Sequence, residues 1–211
     1  MRITAVCCTL GALVGLLASA PVLAQNVKIT PIGSHAGELC ANDRAIVFED
    51  PTGVRFLYDP AHNVTGGDDP RLGTIHLVLL SHMHGDHVGD LKLKAPNAGT
   101  CANSERVPAP NSTTAEVVAA QNAALVTTRA MAGFVANKVQ GIRGKPMGFC
   151  PQNGGATTVP VTTACSSRID MGGVFVAKAA DVSQGVEITI VYASHVNNVP
   201  PALLSGRSVQ S

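Results

Sequence analysis

Short apolar stretches separated by turn residues recur through the first third of the chain and predict β-strands. Alternating or β-branched apolar residues occupy positions 27–32, 45–48 and 54–58, and the Asp-Pro-Thr-Gly turn at 50–53 joins the last two as a hairpin. The nearly continuous apolar run at 75–80 predicts a strand that is buried on both faces. This strand leads directly into a polar segment rich in histidine.

The pattern changes in the second half of the chain. Residues 95–112 are rich in Pro, Asn, Gly and Ser and predict a loop, after which Thr113 and Glu116 have the spacing of a capping box. The Ala-rich stretch that follows predicts a single helix over about 115–139. Residues 141–173 predict a long irregular segment, a kind that is usually functional or braced.

Residues 1–24 have the composition of a secretory signal peptide. Arg2 supplies a positive charge, an uncharged apolar run follows at 5–20, and small residues lead up to Ala24. The apolar run is shorter than the roughly 20 residues that a transmembrane helix needs. We therefore expect cleavage after Ala24, a secreted or periplasmic location without a membrane anchor, and one domain over residues 25–211.

Export would place the remaining cysteines in an oxidising compartment, where an even number predicts disulfides. Four cysteines lie beyond the signal peptide: Cys40, Cys101, Cys150 and Cys165. Three pairings are possible, and the pair Cys150–Cys165 is favoured because it closes the shortest loop. No C-x-x-C pair is present, so the sequence gives no support for a zinc finger or a thioredoxin-type site.

The overall composition excludes two classes of protein. Hydrophobic residues make up 45% of the chain, charged residues 14%, and the formal net charge is +1. A protein that binds nucleic acid through bulk charge would be strongly basic, and a disordered chain would be less hydrophobic. We therefore expect a folded protein that does not bind nucleic acid through bulk charge.

The segment at 81–90 carries the candidate chemistry, because it contains the pattern H-x-H-x-D-H directly after the buried strand. Imidazole and carboxylate groups are good ligands for zinc and similar ions. His82 and His84 are two positions apart and could bind one ion, while Asp86 and His87 could face a second. The turn also lies at a strand's carboxyl end, where α/β sheets bind ligands.

A third ligand for the first ion must come from elsewhere in the chain. Strands are predicted at 174–177 and 186–191, and the second ends just before His195. His195 is therefore the best candidate for this ligand, since a catalytic zinc ion usually has three protein ligands and one open position.

Together these residues resemble the metallo-β-lactamase superfamily of metal-dependent hydrolases. The H-x-H-x-D-H motif after a buried strand carries most of the resemblance, and the strand-terminal His195 adds to it. Residues 57–60, Leu-Tyr-Asp-Pro, are similar to the family element in which an Asp, here Asp59, supports the metal ligands from behind. The resemblance covers residues 27–200 and implies an α/β fold, the αβ/βα sandwich of two mixed sheets between helices.

The resemblance also implies roles for the site residues and a reaction. His82, His84 and His195 would bind the first metal ion, and Asp86 and His87 the second. The expected cofactor is Zn²⁺, as one or two ions, although another divalent transition metal is possible. A zinc-activated water would cleave an ester, lactone, amide or phosphodiester bond of a small-molecule substrate, with Asp86 orienting this nucleophile.

Two departures from the family pattern keep other hypotheses open. Val-Asn-Asn-Val at 196–199 replaces the Thr-Pro-Gly that often follows the third metal His, which weakens the case for a β-lactamase proper. The 16 residues after His195 contain no Asp, Glu or His, so the second metal site and the second half of the sandwich are expected to be incomplete. A truncated, non-catalytic metal-binding derivative is therefore the main alternative.

Several other polar residues have simpler interpretations. Asp59 could merely begin a turn, as Asp-Pro often does, and His35 could line the pocket or cap a turn. His62 and His76 are expected to be structural or exposed, and Asp90 could cap a following helix. The loops at 60–73 and 95–112 are expected to shape the substrate pocket.

Overall fold

The computed structural model describes residues 26–37 and 39–193. The predicted signal peptide, His195 and the segment at 196–211 lie outside the described residues. Within the described ranges the secondary structure comprises twelve short strands and three helices. The strands are β1 (Lys28–Pro31), β2 (Ile46–Glu49), β3 (Arg55–Tyr58), β4 (Leu77–Leu79), β5 (Leu91–Leu93), β6 (Arg106–Pro108), β7 (Ala124–Val126), β8 (Gly148–Phe149), β9 (Thr157–Val159), β10 (Cys165–Ser166), β11 (Val174–Ala179) and β12 (Val186–Thr189). The helices are α1 (Gly85–Val88), α2 (Thr113–Gln121) and α3 (Arg129–Arg143).

A seven-stranded mixed sheet forms the centre of the described structure. Its strand order is β1-β2-β3-β4-β7-β10-β8. The pairs β1–β2 and β2–β3 are antiparallel, as the predicted hairpin requires, and every pair from β3 to β8 is parallel. The carboxyl ends of β3, β4, β7 and β10 therefore lie along one edge, which is where the polar motif leaves the sheet.

The two faces of this sheet contact different layers. Because neighbouring residues of a strand point to opposite faces, Val78 and Leu125 belong to one core and Leu77 and Val126 to the other. The first core is completed by apolar residues of α2 and α3. The second core contains Phe175 and other residues of a smaller sheet ordered β12-β11-β9. The structure thus combines helices with mixed sheets, in agreement with the predicted α/β class.

Two disulfides brace the irregular parts of the chain. Cys150 is bonded to Cys165, which confirms the favoured pairing, and Cys40 is bonded to Cys101. The first bond closes a loop within the segment at 141–173, where Cys165 belongs to β10 beside β8. The second joins the turn before β2 to the connection between β5 and β6, 61 positions apart.

Within the described ranges, every helix is too short or too polar to cross a membrane.

The prediction of one helix over 115–139 is wrong. The left-handed backbone of Asn122, with φ of 50°, ends α2, and the strand β7 follows before α3 begins. All three residues of β7 are buried, because this strand lies between β4 and β10 in the middle of the sheet. The helix propensity of an Ala-rich sequence is overridden here by tertiary packing.

Two further local predictions need correction. The N-cap of α2 is Ser112, whose side chain accepts a hydrogen bond from the Ala115 N–H, so Thr113 is not the capping residue. The segment at 95–112 is not entirely a loop, because β6 lies within it and pairs with β5. No helix follows Asp90 among the described residues before α2, since β5 begins at the next position.

Candidate metal centre

The histidine-rich motif lies where the parallel strands β3 and β4 end side by side. Asp59 directly follows β3, and its backbone N–H donates to the carbonyl of Leu79 in β4 at 2.9 Å. Ser81 and His82 leave β4 at the same edge. Two neighbouring strands therefore bring a carboxylate and an imidazole-rich turn together, as the parallel pairing at the carboxyl edge would predict.

Asp59 is the most constrained residue of this edge. Its side chain is 0% exposed, and its backbone adopts a left-handed conformation with φ of 42°. Oδ1 accepts the Ser81 N–H at 2.8 Å, while Oδ2 accepts the Ser81 hydroxyl at 2.7 Å and lies 2.7 Å from His87 Nδ1. A left-handed non-glycine residue of this kind costs energy and is concentrated at functional sites. The carboxylate is thus held by the fold against His87, one of the predicted metal ligands.

The contacts of Asp59 determine which nitrogen of two imidazoles carries the proton. A carboxylate only accepts hydrogen bonds, so His87 Nδ1 must be the protonated nitrogen. Ser81 donates its one hydroxyl hydrogen to Asp59 and therefore accepts from His82 Nδ1, which lies 2.8 Å from Ser81 Oγ. When the two rings are neutral, the nitrogen without a proton is therefore Nε2. Such a second partner is how proteins fix the tautomer and orientation of a metal-binding imidazole.

The three imidazoles of the motif form one cluster. The ring centroids of His82 and His84 are 4.7 Å apart, and those of His82 and His87 are 3.9 Å apart. His84 occupies the N-cap position of α1, a single helical turn that carries Asp86 and His87. The turn therefore brings the predicted ligand types, imidazole and carboxylate, onto the same side of the sheet edge.

The separation of Asp86 and His87 is suitable for a shared metal ion. Asp86 Oδ2 lies 3.6 Å from His87 Nε2, the nitrogen left unprotonated by the contact with Asp59. Two ligand atoms about 2.1 Å from a tetrahedral zinc ion would be about 3.4 Å apart. The donor set and this spacing fit a zinc-like ion.

The α1 turn is held in place through its glycine and its backbone. Gly89 ends the turn with φ of 75°, and a Cβ at this position would collide with the Thr113 hydroxyl. Thr113 N–H donates to the Gly89 carbonyl at 2.9 Å, and its hydroxyl donates to the Ala61 carbonyl at 2.7 Å. Ala61 N–H in turn donates to the carbonyl of His87 at 3.0 Å. The start of α2 and the residues after Asp59 therefore fix the position of the turn.

An arginine contacts Asp86 from the turn before β2. Arg44 Nε lies 3.3 Å from Asp86 Oδ2. Burial alone would raise the pKa of Asp86, but the charges of His87 and Arg44 and the hydrogen bonds outweigh it, so the pKa lies below its ordinary value of 3.8. Asp86 is therefore a carboxylate at neutral pH, the form that a metal ligand requires.

A second group of metal-ligating types, His35, Cys40 and Cys101, lies close together. His35 Nε2 is 3.2 Å from Cys101 Sγ, and its Nδ1 is 2.9 Å from the Ala36 carbonyl. Both thiols, however, are consumed by the disulfide between Cys40 and Cys101. This group is not a clear metal site, and His35 packs beside a disulfide.

The remaining candidate residues have structural partners. His62 Nε2 lies 2.6 Å from Asp90 Oδ1, and the Asp90 carboxylate occupies the space that a side chain at Gly85 would need. His76 lies at the opposite end of β4, where its Nδ1 accepts the Arg55 N–H at 3.1 Å. Each of these two histidines thus has a specific hydrogen-bond partner, as expected for structural histidines.

The loop at 60–73 makes contacts with both the α1 turn and α2. Its beginning supports the α1 turn through Ala61, but Gly67 packs against α2, where the Gln121 amide donates to the Gly67 carbonyl at 3.1 Å. A cavity of about 260 Å³ near this point is lined by Gly67, Asp68, Glu116, Ala119, Ala120, Ile142 and Arg143. None of the predicted metal ligands at 82–87, which the structure describes, lines this cavity.

Sequence reasoning missed two residues of this centre. Ser81 links Asp59 to His82, and its position directly before the motif was the available signal. Arg44 lies 42 positions from Asp86, so no local pattern indicates their contact. His195, the predicted third ligand of the first ion, lies outside the described residues.

Comparison with known proteins leaves the chain without an assigned family. A scan of protein-family models and a search of curated proteins both find no match to it. The function must therefore be argued from the residues and their contacts.

Proposed function

We propose that the protein is an exported metal-dependent hydrolase with a zinc-like centre built on His82, His84, Asp86 and His87, completed by His195. The observation that carries this proposal is the set of contacts made by the buried Asp59. Its carboxylate accepts from His87 Nδ1 and from the Ser81 hydroxyl, and the Ser81 oxygen accepts in turn from His82 Nδ1. A solvated polar turn would have no need of a fully buried carboxylate in a left-handed backbone. This arrangement is typical of imidazoles prepared to bind a metal.

The layers of the fold favour the metallo-β-lactamase type of architecture. Helices cover one face of the large mixed sheet, and a second sheet packs on the other face. The candidate centre lies at the carboxyl edge of the large sheet, where the resemblance places the metal ions. We therefore propose that these layers correspond to part of an αβ/βα sandwich.

The reaction class follows from the residues of the centre. A bound zinc-like ion supplies Lewis acidity, which makes water a nucleophile near neutral pH. Asp86, held as a carboxylate, would orient that nucleophile, while Asp59 keeps the imidazole of His87 in one tautomer. The proposed substrates are small molecules with an ester, lactone, amide or phosphodiester bond, and the two disulfides fit an exported protein.

Metal analysis of the purified protein tests this proposal. After incubation with zinc and removal of excess ions, we expect at least one zinc ion per chain, and loss of this ion in His82→Ala and His84→Ala. His76→Ala, at the other end of β4, is the matched control and should retain the metal. A folded wild-type protein that binds no zinc, or variants that bind it as well as wild type does, would contradict the proposal.

Activity is tested separately with a panel of substrates. The zinc-loaded protein should hydrolyse at least one member of a panel of aryl esters, lactones, phosphodiesters and β-lactams, and His82→Ala should lose that activity. The panel also decides whether the protein is a β-lactamase, because that enzyme would act on penicillins or carbapenems. A protein that binds zinc but hydrolyses none of the panel would favour the non-catalytic alternative.

A further inference from the structure

Arg44 places a permanent positive charge at the carboxylate that is expected to bind a second metal ion. Its Nε lies 3.3 Å from Asp86 Oδ2, the same oxygen that lies 3.6 Å from His87 Nε2. A guanidinium carries its positive charge at neutral and acidic pH. The Asp86 oxygen suited to a shared ion is therefore already neutralised by a residue of the chain.

The backbone at Arg44 is fixed from both sides. Its N–H donates to Asn63 Oδ1 at 3.4 Å, and the amide of the fully buried Asn63 donates to the Ile32 carbonyl. Asp43 accepts hydrogen bonds from the backbone N–H groups of Ser34 at 2.7 Å and of Cys40 at 2.9 Å. These contacts prevent the turn as a whole from moving away from Asp86.

A disulfide adds a covalent tether to the same turn. Cys40 is bonded to Cys101 in the connection between β5 and β6, which tethers the beginning of the turn. Arg106, in β6, also donates to the Ser34 hydroxyl at 3.1 Å. The guanidinium is partly exposed, but the backbone that carries it is therefore braced by the disulfide and by the contacts of Asp43 and Asn63.

A metal ion and this guanidinium would compete for one oxygen. Zinc binds a carboxylate oxygen at about 2.0–2.2 Å, so an ion on Asp86 Oδ2 would lie within about 5.5 Å of Arg44 Nε at its present position. Like charges at this distance repel each other, more strongly where the surroundings are partly buried. The second ion would bind only by displacing Arg44 and losing its ion pair.

We infer that Arg44 supplies at Asp86 the charge that the family resemblance assigns to a second metal ion, so that the centre holds one tightly bound divalent ion. This inference rests on the proposed metal centre and specifies how many ions it binds. It also specifies which residue sets that number. Two ligand atoms, from Asp86 and His87, have a spacing that suits a second ion, and Arg44 keeps that ion out.

The number of zinc ions per chain tests the inference. Purified full-length proteins are equilibrated with buffered zinc, analysed for metal content, and titrated against a chromophoric chelator. We expect one tight ion in wild type and in Arg44→Lys, which keeps the charge. Arg44→Gln should bind two ions, the second at least tenfold more tightly than wild type binds any second ion.

Two further variants locate the effect. Lys28→Gln removes another cation of an ion pair, 2.6 Å from Glu49 at the opposite end of the β2–β3 pair, and should still bind one ion. The double variant Arg44→Gln, Asp86→Asn should lose the second ion that Arg44→Gln gains. A second ion retained in the double variant would place it elsewhere and overturn the inference.

The outcomes separate this inference from the proposed function. Two tight ions in wild type, or a single ion in a folded Arg44→Gln, would overturn the inference and leave the metal centre intact. A change in the Michaelis constant of Arg44→Gln with its zinc content still at one would also overturn it, because Arg44 would then be a substrate contact. An absence of bound zinc from every variant would overturn the proposed function itself.

Discussion

The two ends of the β3–β4 pair each hold a partly buried histidine, but the partners of these histidines are opposite in kind. At the carboxyl end, His87 donates from Nδ1 to the buried carboxylate of Asp59 at 2.7 Å. At the other end, His76 accepts through Nδ1 from the backbone N–H of Arg55 at 3.1 Å. One imidazole is a donor held by a negative charge, and the other is an acceptor beside a positive one.

This difference shows that the role of a histidine depends on what the fold places behind it. Burial, and then the charge of Arg55, lower the pKa of His76 below its ordinary value of 6.5, so that this ring stays neutral and serves the backbone. His87 instead has a carboxylate behind it and a second carboxylate, Asp86, in front. Only the environment of His87 surrounds an imidazole with carboxylates, and the proposed metal centre therefore lies at that end of the strands.

Removal of the Asp59 carboxylate should have the largest effect on this comparison. Asp59→Ala leaves Ser81 N–H, the Ser81 hydroxyl and His87 Nδ1 without their shared acceptor in a buried place. We expect the free energy of unfolding, measured by urea denaturation without metal, to fall by about 3–5 kcal/mol. Zinc affinity of the folded fraction should fall by about 10–100-fold.

Asp59→Asn is the control for this variant, because it preserves volume and tolerates the left-handed backbone. It should lose less stability than Asp59→Ala, while its loss of zinc affinity remains. If Asp59→Ala unfolds at the same urea concentration as wild type, the buried carboxylate does not stabilise this end of the sheet and the comparison fails.

The parts of the molecule that the sequence predicts well are those with a local pattern. The strands before the motif follow alternating or continuous apolar runs. The Leu-Tyr-Asp-Pro element led us to expect that Asp59 supports the metal ligands, but it did not indicate His87 in particular. β7 was missed because its three buried residues lie within an Ala-rich stretch and become a strand only between β4 and β10. Contacts such as that of Arg44 with Asp86 depend on how distant segments pack, so no spacing along the chain reveals them.

Substitution of Gly89 should have an intermediate effect and tests the support of the metal-centre end. Gly89→Ala places a side chain in a left-handed backbone and against the Thr113 hydroxyl. We expect a loss of about 2–4 kcal/mol in the free energy of unfolding, from backbone strain and overpacking together. Because the α1 turn would shift, zinc affinity should also decrease.

Gly133 offers a matched glycine where the same change should stabilise. It lies in α3, and a Cβ there would meet nothing within 4 Å. Gly133→Ala should therefore raise the free energy of unfolding by about 0.5–1 kcal/mol through helix propensity, with zinc affinity unchanged. Equal effects of the two substitutions would mean that the turn before α2 is not braced as the contacts indicate.

The smallest expected effect is on the pH dependence of stability, which tests His76 at the other end of the strand pair. Because the pKa of His76 is lower in the folded protein than its ordinary value of 6.5, the unfolded chain binds more protons as the pH falls. The stability linked to His76 is therefore complete above about pH 6.5 and is lost as the pH falls towards the folded pKa.

His76→Asn keeps an acceptor for the Arg55 N–H but does not titrate, so its urea midpoint should fall less than that of wild type between pH 8 and pH 5. The two proteins differ only at this position, and the difference between the two curves therefore reports His76 alone. Parallel curves would mean that protonation of His76 does not change the stability of the protein. The comparison with His87 would then depend on Asp59 alone.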